Sequence, residues 1–80
     1  MSSSAKADRS LDCIGLYCPE PVFRTRLELD AMALGEILEV VADDPAAEED
    51  IRSLVKRLGH LLVDVDSRGR VTRILIQKVK

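Results

Sequence analysis

The chain has 80 residues, a formal charge of −2 and 46% apolar residues, which fits one small globular domain and leaves no room for a second. No apolar run reaches the length of a membrane span, and Met1 to Ser10 lacks the apolar stretch of a secretory signal. Two cysteines without such a signal argue against a disulfide-stapled module, so the expected location is the cytoplasm, with reduced thiols and no membrane partner.

Met1 to Asp8, with three serines in a row, reads as a disordered tail, and residues 9–80 read as the single domain. Ser10 to Ile14 is a short strand in which Leu11 and Cys13 share a face. Gly15 to Cys18 is a loop leading into a first helix over Pro19 to Ala33, with Gly35 as its stop. At about 100° per residue, Val22, Thr25, Leu29, Met32 and Ala33 form its core stripe. Phe23, Leu27 and Ala31 form a second stripe, set apart by Arg26 and Asp30.

Glu36 to Ala42 is apolar except at Glu39, as suits a central strand. Asp44 is placed to cap the next helix, with Pro45 at its first position. Glu48, Glu49 and Asp50 complement the positive helix end, and Ala47, Ile51, Leu54, Val55 and Leu58 make a clean stripe that Gly59 terminates. Leu61 to Asp66 sets Leu61, Val63 and Val65 against Leu62, Asp64 and Asp66, a half-buried strand. Ser67-Arg68-Gly69 is the turn, and Arg70 to Lys78 closes the sheet with Thr72, Ile74 and Ile76 inward. The order β-α-β-α-β-β predicts an α/β (α+β) two-layer sandwich: a four-stranded mixed sheet with two helices on one face, since right-handed crossovers place both on the same side.

Cys18 stands in Leu16-Tyr17-Cys18-Pro19-Glu20-Pro21, at the start of the first helix. Unpaired backbone N–H groups and the positive end of the helix dipole favour a thiolate there, and the thiolate is the nucleophilic form. Pro19 and Pro21 are tolerated in a first turn and stiffen the segment. Glu20 opposes ionisation, so a moderate lowering of the Cys18 pKa is expected.

Leu11-Asp12-x-x-Gly15-Leu16-x-Cys18-Pro19-Glu20-Pro21 is similar to the signature of the TusA/SirA family of small sulfur-carrier proteins, in which Cys-Pro-x-Pro follows Asp-x-x-Gly. Val41-Ala42-Asp43-Asp44-Pro45-Ala46 resembles that family's acidic turn between its second strand and second helix. The likeness runs from residue 10 to residue 80. It implies a persulfide on Cys18, received from a cysteine desulfurase or rhodanese-like donor and handed to a sulfur-accepting relay protein that feeds tRNA thiolation, cofactor assembly or sulfur oxidation. It implies a sulfurtransferase that works through its partners' active sites and needs no cofactor. Docking through the first helix is also implied, with Phe23 and Arg26 as candidates, and Asp44 acquires a possible docking or sulfur-handling role beside its capping one. Asp12 and Gly15 are expected to support the loop, the glycine by freeing its backbone.

Cys13 falls at a position the family leaves variable, and strand alternation puts it in the core. Its alternative role is a resolving thiol that attacks a Cys18 persulfide, giving a disulfide and releasing sulfide, which would make a dithiol redox or selenium-handling protein. A third reading is a non-catalytic interaction module. A metal is not expected, because Cys13, Cys18 and His60 are the only soft ligands and a structural zinc normally draws on four. His60 reads as a surface residue after the second helix. No glycine-rich phosphate loop is present, and two aromatics with a net negative charge make a poor nucleic-acid platform. Residues 19–50 carry ten acidic and two basic side chains, and residues 51–80 eight basic and two acidic, so the folded chain either interleaves these charges as solvated faces or presents a polarised docking surface.

Overall fold

Alternation along the strands decides which side of the sheet the helices cover. The computed structural model describes residues 7–80. Its elements follow the expected order: β1 (Arg9–Cys13), α1 (Glu20–Ala31), β2 (Ile37–Ala42), α2 (Ala47–Leu58), β3 (Leu61–Arg68) and β4 (Val71–Gln77). The sheet runs β1-β2-β4-β3, with β1 parallel to β2 and the other pairs antiparallel. Leu38, Val40, Ala42, Ile74 and Ile76 turn to one face, where Leu29 and Met32 of the α1 region and Ala47, Ile51 and Val55 of α2 bury them. Both helices therefore lie on that face, as expected. Of the tail expected over Met1 to Asp8, residues 1–6 lie outside the described residues. Asp8 exchanges two 2.8 Å hydrogen bonds with Ile37, through its N–H and through its carboxylate.

Helix α1 departs from expectation at its end. Ala31 is its last residue, and Met32 is already extended, at φ −88° and ψ 159°. Met32 is still buried, but Ala33 leaves the helical stripe and is exposed. Gly35, at φ +90°, belongs to the following turn rather than to the helix stop. Thr25 is wholly buried and spends its hydroxyl on the Pro21 carbonyl one turn back, at 2.6 Å. Helix α2 meets its predicted stripe, and Gly59 at φ +82° ends it in the left-handed conformation, returning its N–H to Val55.

Strand β3 differs more. A β-bulge between Leu62 and Asp64 takes Val63 out of the ladder, so Leu62 and Val65 pack on the core while Leu61 and Val63 are exposed. Strict alternation would have put Val63 with Val65. The strand also runs to Arg68, paired with Val71, which moves the turn to Gly69-Arg70. On the open face Arg73 pairs with Glu39, which also accepts the Ser10 hydroxyl at 3.0 Å. Leu75, beside that pair, is almost fully buried although it faces away from the helices. Among the described residues no helix is long and apolar enough to cross a membrane.

Two outcomes follow. Leu62→Ala is expected to cost about 2 kcal/mol and Val63→Ala less than about 1 kcal/mol in urea unfolding, and equal losses would contradict the bulge. The hydrogen bond from Arg73 holds the Glu39 carboxyl below its ordinary value. A depressed folded value gives stability that is present above the unfolded value, 4.5, and lost as pH falls through the folded one. Arg73→Gln should therefore make acid unfolding less steep below that pH, with the effect muted by solvent because both side chains are partly exposed.

Candidate functional site

Because β1 and β2 are parallel and Cys13 lies opposite Ala42, the loops that follow both strands leave the sheet side by side. The first loop carries Gly15 to Cys18, and the second carries Asp43 and Asp44. Gly15 takes φ +83°, a conformation that favours glycine, and its N–H donates to Asp43 Oδ1 at 2.9 Å. The Cys18 N–H donates to Asp44 Oδ2 at 3.0 Å. Asp44 Oδ1 accepts the Ala46 N–H at 3.0 Å, and its carbonyl accepts the Ala47 N–H at 2.9 Å. Asp44 is thus a clamp between the loops. It does cap the turn into α2, but the residue at the helix cap is Ala46, and Pro45 precedes the helix. Asp12 turns its own loop, with Oδ1 accepting the Ile14 N–H at 2.9 Å.

Pro19 sits at the cap of α1, Glu20 opens the helix and Pro21 is buried in its first turn. The Cys18–Pro19 peptide is cis. Glu20 pairs with Arg24 at 3.1 Å, so its charge is partly engaged. Cys18 is exposed and unpaired, whereas Cys13 is completely buried in the core. The Cys18 thiol donates to Asp50 Oδ2, 3.2 Å away in the first turns of α2.

That contact reverses one expectation. The hydrogen bond to Asp50 comes first, and then desolvation and the charges of Asp50 and Asp44, in pushing the Cys18 pKa up rather than down. An ionised carboxylate can only accept a hydrogen bond, so it satisfies the thiol and repels the thiolate. Burial likewise pushes the Cys13 thiol up. In the sequence Asp50 reads as a complement to the helix dipole and Asp43 as part of the acidic turn, with nothing to join either to the Cys18 loop. The parallel strand order, with its adjacent loops, is the signal that could have brought both to Cys18.

Beside the Cys18 loop, Tyr17, Asp43 and Pro45 meet Gly69 and Arg70 of the β3–β4 turn and Thr72 of β4 across an open cleft of about 570 Å³. Phe23 (58% exposed) and Leu27 (54%) make an apolar strip on the solvent side of α1, with Tyr17 (73%) close in sequence to the thiol. Arg26 is exposed and forms no ion pair among the described residues. His60 lies past the opposite end of α2, where its Nδ1 accepts the Val79 N–H at 3.3 Å. Among the described residues, no three His, Cys, Asp or Glu side chains gather as a metal site.

Over residues 9–78 the chain matches the family model described as sulfurtransferase TusA. It is 52% identical over 73 residues to an Archaeoglobus fulgidus protein named as a candidate sulfur carrier, across 90% of this chain and 95% of that one. The crystal structure of a SirA-like protein from Desulfitobacterium hafniense has the same fold, with a TM-score of 0.79 at 19% identity over 90% of this chain and 99% of that one. At neutral pH, iodoacetamide should modify Cys18 in the folded protein and spare Cys13 until denaturant is added. Peptide mass spectrometry reads both sites, and equal modification in the native state would contradict the burial of Cys13.

Proposed function

The chain belongs to the TusA/SirA family of small sulfur-carrier proteins, and on that premise we propose that it holds sulfane sulfur as a persulfide on Cys18 and relays it between a donor enzyme and an acceptor protein. The observation that carries this reading is the exposed thiol of Cys18 in the Cys-Pro-Glu-Pro segment, on a loop clamped by Asp43 and Asp44. A clamped loop with an uncovered sulfur can enter another protein's active site without refolding.

The chemistry balances without a cofactor. Cys18 thiolate attacks the outer sulfur of a donor persulfide, the donor S–S bond breaks, and the donor thiolate leaves with the electron pair. An acceptor thiolate then attacks the outer sulfur on Cys18 and restores its thiolate. Sulfur moves between thiols with no net oxidation or reduction. The donor class is a cysteine desulfurase or a rhodanese-like enzyme. The acceptor is the next protein of a relay serving tRNA thiolation, cofactor assembly or sulfur oxidation. The cytoplasm suits this chemistry because thiols stay reduced there.

The exposed strip of Phe23 and Leu27 supports docking along α1, with Arg26 available to a partner carboxylate. It also favours a second reading, a docking module whose thiol is incidental. The dithiol relay gains less support, because Cys13 is buried. Intact mass spectrometry after incubation with a cysteine desulfurase and cysteine separates the three. The carrier reading expects one added sulfur in the parent and in Cys13→Ala, and none in Cys18→Ser. The module reading expects no added sulfur and loss of partner binding in Phe23→Ala alone. Loss of two hydrogens that requires both cysteines would favour the dithiol relay.

A further inference from the structure

Two carboxylates bond to Cys18, one at the thiol and one at the backbone. Asp50 Oδ2 accepts the thiol at 3.2 Å from α2, and Asp44 Oδ2 holds the Cys18 N–H at 3.0 Å from the neighbouring loop. On the thiol's own segment Glu20 is paired with Arg24, and Tyr17 is largely exposed. No ion pair engages Asp44 or Asp50 among the described residues. Asp50 is not required to cap α2, because its side chain makes no capping bond and its N–H is already bonded to the Ala46 carbonyl.

We propose that Asp50 is a positioning residue that holds the unloaded Cys18 as a protonated, hydrogen-bonded thiol, so that sulfur uptake waits for a donor whose cationic or hydrogen-bond-donating groups engage Asp50. The consequence for sulfur relay rests on the carrier reading, whereas the protonation itself does not. When a donor group takes over the Asp50 carboxylate, the thiol gives its proton to a base of the donor or to water. The freed thiolate attacks the outer sulfur of the donor persulfide, and the donor sulfur departs as a thiolate. Between partners the sulfur stays protonated, the form that alkylates and oxidises slowly. The upward shift of the Cys18 pKa is in keeping with this arrangement.

The test is peptide-resolved alkylation of Cys18 by iodoacetamide in the full chain, followed from about pH 6 to about pH 11, past the raised midpoint of the parent. Asp50→Asn keeps the side-chain size and removes the charge, while Asp50→Ala also removes the acceptor. Both variants should alkylate several-fold faster than the parent at neutral pH, with a lower midpoint, and all three should converge at high pH where each is a thiolate. Profiles that superpose on the parent overturn the proposal. A uniform acceleration at every pH also overturns it, because it would report access rather than protonation. Sulfur uptake from a desulfurase is measured separately on the same proteins. If the parent takes up none, the carrier reading falls, and the titration still decides the role of Asp50.

Discussion

The parallel pairing of β1 with β2 is the constraint from which the site is built. With Cys13 opposite Ala42, both strands end level, and the chain must leave each of them into a helix on the same face. Two loops are then forced together at one end of the sheet. Each carries unpaired backbone N–H groups at a helix start, and the second also supplies two carboxylates. Asp43 takes the N–H of Gly15 and Asp44 takes the N–H of Cys18. Open α/β sheets place their sites outside the C-terminal ends of parallel strands for the same reason. Here that region is a clamp on a loop, and the sulfur projects from it.

The clamp sets two opposing fields on the sulfur. The start of α1 favours negative charge nearby, which by itself would promote the thiolate. Asp44 and Asp50 disfavour it. The two fields differ in geometry: the dipole is spread over the helix end, whereas Asp50 is in contact with the sulfur. Cys18 also stands before the cap residue Pro19, outside the first turn where the dipole acts most strongly. A thiol whose hydrogen-bond acceptor is a carboxylate that favours its protonated form is in keeping with the proposed carrier, which would borrow its activation from a partner.

Much of this was legible in the sequence because the signals were local. The alternation of Leu11 and Cys13 foretold a buried Cys13, and the stripe of Ala47, Ile51, Leu54 and Val55 foretold α2 with its glycine end. What could not be read was two-dimensional. The Cys18–Asp50 contact joins residues 32 apart in sequence, so no spacing rule reaches it. The bulge at Val63 is hidden because apolar residues occupy Leu61, Leu62, Val63 and Val65, a pattern that supports either register. Leu75 is buried on the face away from the helices, opposite Glu39 and between charged residues that disguise such a position in a sequence. Ala33 was misplaced because helix ends depend on where the chain must turn toward β2, not on the stripe alone.

The lopsided charge of the chain acquires a location from the same geometry. Part of it is neutralised internally: Arg52 pairs with Glu48, Arg68 with Asp66 and Arg73 with Glu39. Asp43, Asp44 and Asp50 enter no such pair among the described residues; Asp43 holds the Gly15 N–H, Asp44 the Cys18 N–H and Asp50 the thiol itself. Three unpaired carboxylates therefore stand at the Cys18 loop, while the apolar strip of Phe23 and Leu27 runs along α1. A partner surface that places basic groups at the thiol and an apolar patch beside α1 would match both features at once. The charges would govern approach and register, and the apolar strip would supply the contact area. Under the proposed carrier role, partner choice and thiol activation would share the same carboxylates, which would couple docking to chemistry.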